Sequence, residues 1–172
     1  MDDFTVTIPK DDPSFTMVRS FAAPQALIWE CYTVPDHLRN FWGPHGSTNP
    51  VMEVDLRVGG VWRVVMRFKD GQEYGYSSVY LEITEPRQLV YRDAPYEWAG
   101  GFEGLPEMQL HTVIDIEPQG ERTEVKVTVR APTIAFRDDQ IARGFTEMIK
   151  VGHERLEAYM EKLKSRGGTI AE

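Results

Sequence analysis

The chain has 172 residues and only one cysteine, Cys31. A lone cysteine forms no internal disulfide and builds no cysteine-rich metal site. Basic residues are in deficit, 19 against 27 acidic ones, which leaves a net charge of -8. That balance argues against a nucleic-acid partner, which wants a basic face, and against an anionic membrane surface. No apolar run approaches the roughly 18 residues of a membrane span. The start, Met1-Asp2-Asp3, has neither the basic residues nor the apolar stretch of a secretory signal. The expectation is a cytoplasmic, reduced protein with no membrane and no nucleic acid among its partners.

Histidine is also sparse. His37, His45, His111 and His153 are unpaired in sequence, so no metal site is expected. No Gly-x-Ser-x-Gly elbow is present, and Cys31 has no histidine near it in sequence. Gly59-Gly60 and Gly100-Gly101 lack the lysine and spacing of a phosphate loop, so no cofactor is expected.

What is present is a globular composition, with 41% hydrophobic and 27% charged residues. The length suits one domain over 1–172. Residues 4–8 and 15–21 read as strands. Pro24 then opens a helix carrying Leu27, Ile28, Cys31 and Tyr32, and Pro35 opens a shorter one that Gly43-Pro44 stops. Period two returns near residue 50. Val54, Leu56 and Val58 predict a strand, Gly59-Gly60 a hairpin turn, and Trp62, Val64, Met66 and Phe68 the next strand. Asp70-Gly71 marks another turn. A long strand follows at 74–83, then a short one at 89–91, and two more around 108–117 and 125–129.

The last element reads as one helix from about Asp138 to Lys164. Its apolar stripe is Ile141, Phe145, Met148, Gly152, Leu156, Tyr159 and Leu163. It would be about 40 Å long. Gly144 and Gly152 weaken it by roughly 1 kcal/mol each, so packing or room for a ligand should explain them. Arg166-Gly167-Gly168 starts a frayed tail. The order implies an α+β fold, an antiparallel meander of about six or seven strands curved around one long C-terminal helix. A cavity is expected between sheet and helix.

Three ordered signatures carry a resemblance. They are Arg19-Ser20-Phe21-Ala22-Ala23-Pro24 through Phe41-Trp42-Gly43-Pro44, then Asp55 to Trp62, then Tyr80 to Val90. Together they resemble the family named for the C-terminal domain of the activator of the heat-shock protein 90 ATPase. That family belongs to the START-like, or SRPBCC, superfamily with the helix-grip fold. The resemblance runs from about residue 15 to 163. Gly152-His153 stands where the family often has Gly-Trp, and 93–107 is longer than the family's usual link.

The expected function is binding of a small hydrophobic or aromatic ligand, without catalysis. Its candidate lining is Trp42, Trp62, Met66, Trp98, Phe102, Met108, Phe145, Met148 and His153. Trp98 and Phe102 sit on the aperiodic segment 93–107, so residues 95–105 are expected to form a lid over the cavity mouth. The resemblance implies two alternatives. One is a co-chaperone stimulating a heat-shock protein 90 ATPase. The other is an enzyme of cyclase, dehydratase or hydrolase type, for which His153, Asp55, Glu82 and Tyr76 are the loose acid–base candidates. Asp55 and Arg57 would share a strand face and read as an exposed ion pair. Tyr74, Tyr76 and Tyr80 form a candidate homodimer surface, although burial on both faces within the fold explains them equally well.

Overall fold

The computed structural model describes residues 3–107 and 109–166. Met108 and the expected tail at Gly167-Gly168 lie outside them. Two strands open the chain, β1 (Thr5–Thr7) and β2 (Ser14–Phe21), followed by α1 (Gln25–Thr33) and α2 (Pro35–Leu38). Six strands come next: β3 (Thr48–Val54), β4 (Val61–Arg67), β5 (Glu73–Thr84), β6 (Gln88–Ala94), β7 (His111–Gln119) and β8 (Arg122–Arg130). Two helices end it, α3 (Ile134–Ala142) and α4 (Phe145–Ser165).

The strands form one antiparallel sheet in the order β1-β2-β8-β7-β6-β5-β4-β3. There are eight strands, not six or seven. The first two helices carry the chain to the far edge, and the meander then returns until β8 pairs with β2. The predicted face of α1 is buried through Leu27, Ile28, Cys31 and Tyr32. One sheet face, including Phe15, Met17, Trp62, Val64, Ile114 and Val127, packs toward α4. Among the described residues no helix is long and apolar enough to cross a membrane.

Three local expectations need correction. The strand expected at 54–58 ends at Val54. Beyond it Asp55 accepts from the Arg57 amide and the chain turns, leaving Leu56 and Val58 exposed. Alternation is therefore a poor guide where a tight turn takes the backbone hydrogen bonds. Asp55 and Arg57 do pair, at 2.8 Å, but on this exposed turn rather than on a strand. Secondly, Tyr80 is fully buried and Tyr76 faces inward, which removes the dimer surface inferred from those tyrosines and leaves Tyr74 exposed.

Thirdly, the terminal helix is broken. Thr133 caps α3 by accepting the Phe136 amide at 3.0 Å. Gly144, at a φ of 95°, then separates α3 from α4. A left-handed residue at a helix C-terminus is the usual place for glycine. The 21 residues of α4 span about 30 Å, not 40. Its stripe is fully buried only at His153, Leu156 and Met160, while Phe145, Met148, Ile149 and Gly152 stay partly accessible. The N-terminal half of α4 meets the sheet where Phe145 packs edge-on against Phe15 at 5.4 Å, and leaves space beside that contact.

The break predicts the sign of one mutation. In a continuous helix Gly144→Ala would stabilise by about 1 kcal/mol. At a positive φ it destabilises by about 1 kcal/mol instead, read as a lower urea midpoint with an unchanged slope.

Candidate functional site: a cavity between the sheet and the terminal helices

A cavity of about 630 Å³ occupies this space. Strand alternation supplies its floor. Trp62 and Met66 of β4 face inward, with Tyr76 and Ser78 of β5 and Tyr91 and Asp93 of β6. The register pairs Trp62 with Ser78, and Ser78 with Asp93, so these side chains share one face. Thr112 and Val127 continue the floor into β7 and β8. Phe136 and Gln140 of α3 and Phe145, Met148 and Ile149 of α4 form the other wall. A smaller inner chamber of about 30 Å³ adjoins it, lined by Tyr32, Phe41, Gly152 and His153 among others. Trp42, Tyr91, Val127, Met148 and Ile149 line both spaces. Gly152 thus opens on room, not on a tight packing partner.

Trp42 is the hinge between the two chambers. It belongs to no helix or strand, yet Arg155 of α4 holds its position. The Arg155 guanidinium donates to the carbonyls of Trp42 (3.0 Å), Gly43 (2.9 Å) and Pro44 (2.9 Å) and to Ser47. Asn49 donates to the same Trp42 carbonyl at 3.0 Å. So fixed, the indole lies edge-on to Trp62 with centroids 4.8 Å apart, and its Nε1 donates to the Tyr76 hydroxyl. Trp62 in turn meets Tyr91 at 5.1 Å. Burial raises the Tyr76 and Tyr91 hydroxyls, so both stay neutral.

Of the predicted lining, Trp42, Trp62, Met66, Phe145 and Met148 surround the cavity. His153 reaches only the inner chamber. Trp98 and Phe102 are not brought to the cavity. The segment at 95–105 lies instead against the opposite sheet face, because the Arg63 guanidinium collects its carbonyls. Arg63 donates to Tyr96 O at 2.8 Å and to Trp98 O, and Ser77 donates to Tyr96 O at 2.8 Å. Gly101 N donates to Gly59 O at 2.8 Å. Trp98 borders a separate cleft and Phe102 stays 47% exposed. Only Tyr96 of these eleven residues reaches the cavity, its ring packed on Gly75, where a Cβ would come within 3.1 Å. The expected lid over the mouth is therefore a strap on the back of the sheet.

The acid–base candidates disperse. Asp55 and Glu82 are exposed and away from the cavity, and only Tyr76 lines it. His153 is 3% exposed, its Nε2 lies 3.1 Å from the Tyr32 hydroxyl, and its ring sits edge-on to Phe4 and Phe21. Burial, with Arg19 adding, lowers its pKa to about 3. It is a neutral packing residue near pH 7, contrary to the role expected from its usual titration.

Sequence reasoning missed Asp93. Burial raises its pKa to about 6, opposed by the Leu110 amide, which donates to Oδ2 at 3.1 Å. The signal was present: from Leu89 the alternation runs on through Tyr91 to Asp93, so extending the short strand would have turned Asp93 inward.

These two groups oppose one another in their pH dependence. Between about pH 4 and 6 the unfolded chain protonates His153 and the native chain does not, so this group's stability is lost as pH falls. Asp93 has a raised native pKa, so its contribution is lost as pH rises through the same window. The offset makes the wild-type profile shallow there. Asp93→Asn keeps an acceptor for Leu110 and removes one slope. It should raise stability at pH 7 by about 2 kcal/mol, and stability should then climb with pH by about 1.4 kcal/mol per unit from 4 to 6, as measured by urea unfolding. The His153 ring resonances, followed by NMR, should stay constant from pH 8 to 5.

The comparisons agree with this architecture. A solved protein of Nitrosomonas europaea is 22% identical over 91% of this chain and 99% of its own, with a TM-score of 0.79. One from Mycobacterium smegmatis is 22% identical, covers 92% and 98%, and scores 0.79. The AHSA1 protein of Silicibacter pomeroyi is 19% identical, covers 86% and 97%, and scores 0.68. These likenesses show the START-like helix-grip fold. No curated protein matches the chain. The model of the family described as Activator of Hsp90 ATPase homolog 1-like protein matches residues 22–165, most of the chain. The chain therefore belongs to that family.

Proposed function

We propose that this protein binds a small, mostly apolar molecule in the cavity between its sheet and terminal helices. One observation carries the reading: about 630 Å³ of space in the fold is walled by Trp42, Trp62, Tyr76, Tyr91, Phe145 and Met148, with Ser78, Asp93, Thr112 and Gln140 as polar groups among them. Cavities of this size and lining suit small-molecule ligands. Burial of the ligand supplies affinity at roughly 25 cal/mol per Å². Asp93, Ser78 and Thr112 are placed to orient it.

The enzyme alternative loses His153, Asp55 and Glu82 for the reasons above. The co-chaperone alternative draws on the family's description and on no feature of this cavity.

Native mass spectrometry of the freshly purified protein is the first test. An added mass of a few hundred daltons, lost on denaturation, is the expected result. Met148→Trp, which fills the cavity, should weaken an apolar fluorescent probe by about tenfold or more. Trp98→Ala, on the back of the sheet, should leave it unchanged. A bare mass together with a probe insensitive to Met148→Trp would refute the cavity as the binding site.

A further inference from the structure

The cavity holds a carboxylate that forms no ion pair among the described residues and whose charge the protein offsets only in part. Asp93 lies on the inner face of β6 and lines the space together with Trp42, Trp62, Tyr76 and Tyr91. Its Oδ2 accepts the Leu110 amide at 3.1 Å, and Oδ1 has no hydrogen-bond partner among the described residues. No ion pair among the described residues involves it.

Two arginines come near this site, and neither forms an ion pair with Asp93 among the described residues. Arg92, its chain neighbour, donates to the Pro106 carbonyl. Arg143 lines the cavity, but its Nε pairs with Asp139 at 2.8 Å and its side chain is 73% exposed. The raised pKa of Asp93 reflects the same arrangement, a carboxyl desolvated by burial more than the Leu110 amide and the nearby Arg92 charge offset.

We propose that the molecule bound in this cavity carries a protonated amine seated at Asp93 among the rings of Trp42, Trp62, Tyr76 and Tyr91. A cation at this point makes a charge-assisted hydrogen bond to the free oxygen. It also meets aromatic faces, which attract cations. A carboxylate ligand would face repulsion from Asp93, with Arg143 already paired. The net charge of -8 favours entry of a cation over an anion. The inference rests on the cavity reading and adds the charge of the ligand's polar end.

The test uses three probes on one skeleton: 2-naphthylmethylamine, 2-naphthylmethanol and 2-naphthylacetate. Their affinities for the full chain at pH 7.5 are measured by calorimetry or by tryptophan quenching. The amine should bind about tenfold or more tighter than the alcohol, with the acetate weakest. Asp93→Asn should bring the amine to within about threefold of the alcohol. Arg143→Gln should not weaken the amine. Equal affinities, a tightest-binding acetate, or an amine preference that survives Asp93→Asn would each overturn the proposal. Binding of none of the three would overturn the cavity reading beneath it. The rank order on the unmodified protein decides the matter independently of any variant.

Discussion

The site depends on one interaction, the grip of Arg155 on the loop after α2. A guanidinium carries five donors in a rigid fork and has no acceptor. Here that fork is met almost wholly by backbone oxygens, those of Trp42, Gly43, Pro44 and Ser47. The loop has no helix or strand of its own, so these bonds, with those from the Trp42 amide to Leu38 and from Asn49 to the Trp42 carbonyl, set the direction of Trp42. With them the indole is held on the sheet beside Trp62 and over Tyr76. The same device recurs twice. Arg63 binds the carbonyls of Tyr96 and Trp98, and Arg137, 4% exposed, binds those of Pro9, Asp12 and Ser14. Each guanidinium satisfies loop carbonyls that water would otherwise have to reach.

The empty space follows from how the last helices meet the sheet. Eight antiparallel strands present more inner surface than one helix covers. The second half of α4 lies directly on it through His153, Leu156 and Met160. The first half touches it at Phe145, edge-on to Phe15, but the Gly144 turn redirects the chain before it and space remains alongside. Phe145, Met148 and Ile149 therefore face space, and the sheet offers them aromatic rings across it.

Burial decides the chemistry of the interior more than residue type does. His153 is a residue that ordinarily titrates near neutrality, and here it stays neutral. Asp93 is ordinarily ionised well below neutrality, and here its pKa approaches it. Both shifts have the same main cause, loss of water around the charged form. The histidine is closed in by Tyr32, Phe4 and Phe21 and does structural work. The aspartate faces the cavity, so its charge is available to whatever enters.

Much of this fold was legible in the residues alone. Period-two and period-3.6 patterns, the turns at Gly59-Gly60 and Asp70-Gly71 and the prolines flanking α1 are local signals, and local sterics and burial enforce them. The α+β class, most strands, and five of the lining residues followed from them. What was not legible depended on partners far away in sequence. Arg63 reads as an outward strand residue until the carbonyls of Tyr96 and Trp98 meet it, and that meeting turns an expected lid into a strap. His153 reads as an acid–base candidate until three rings enclose it. Asp93 reads as a strand end until β5 pairs beside it and turns it into the cavity. Sequence by itself determined which faces are apolar and where the chain turns, because those preferences belong to each residue and its neighbours. Only the tertiary structure decided which polar groups keep their water, because desolvation is set by everything packed around a group.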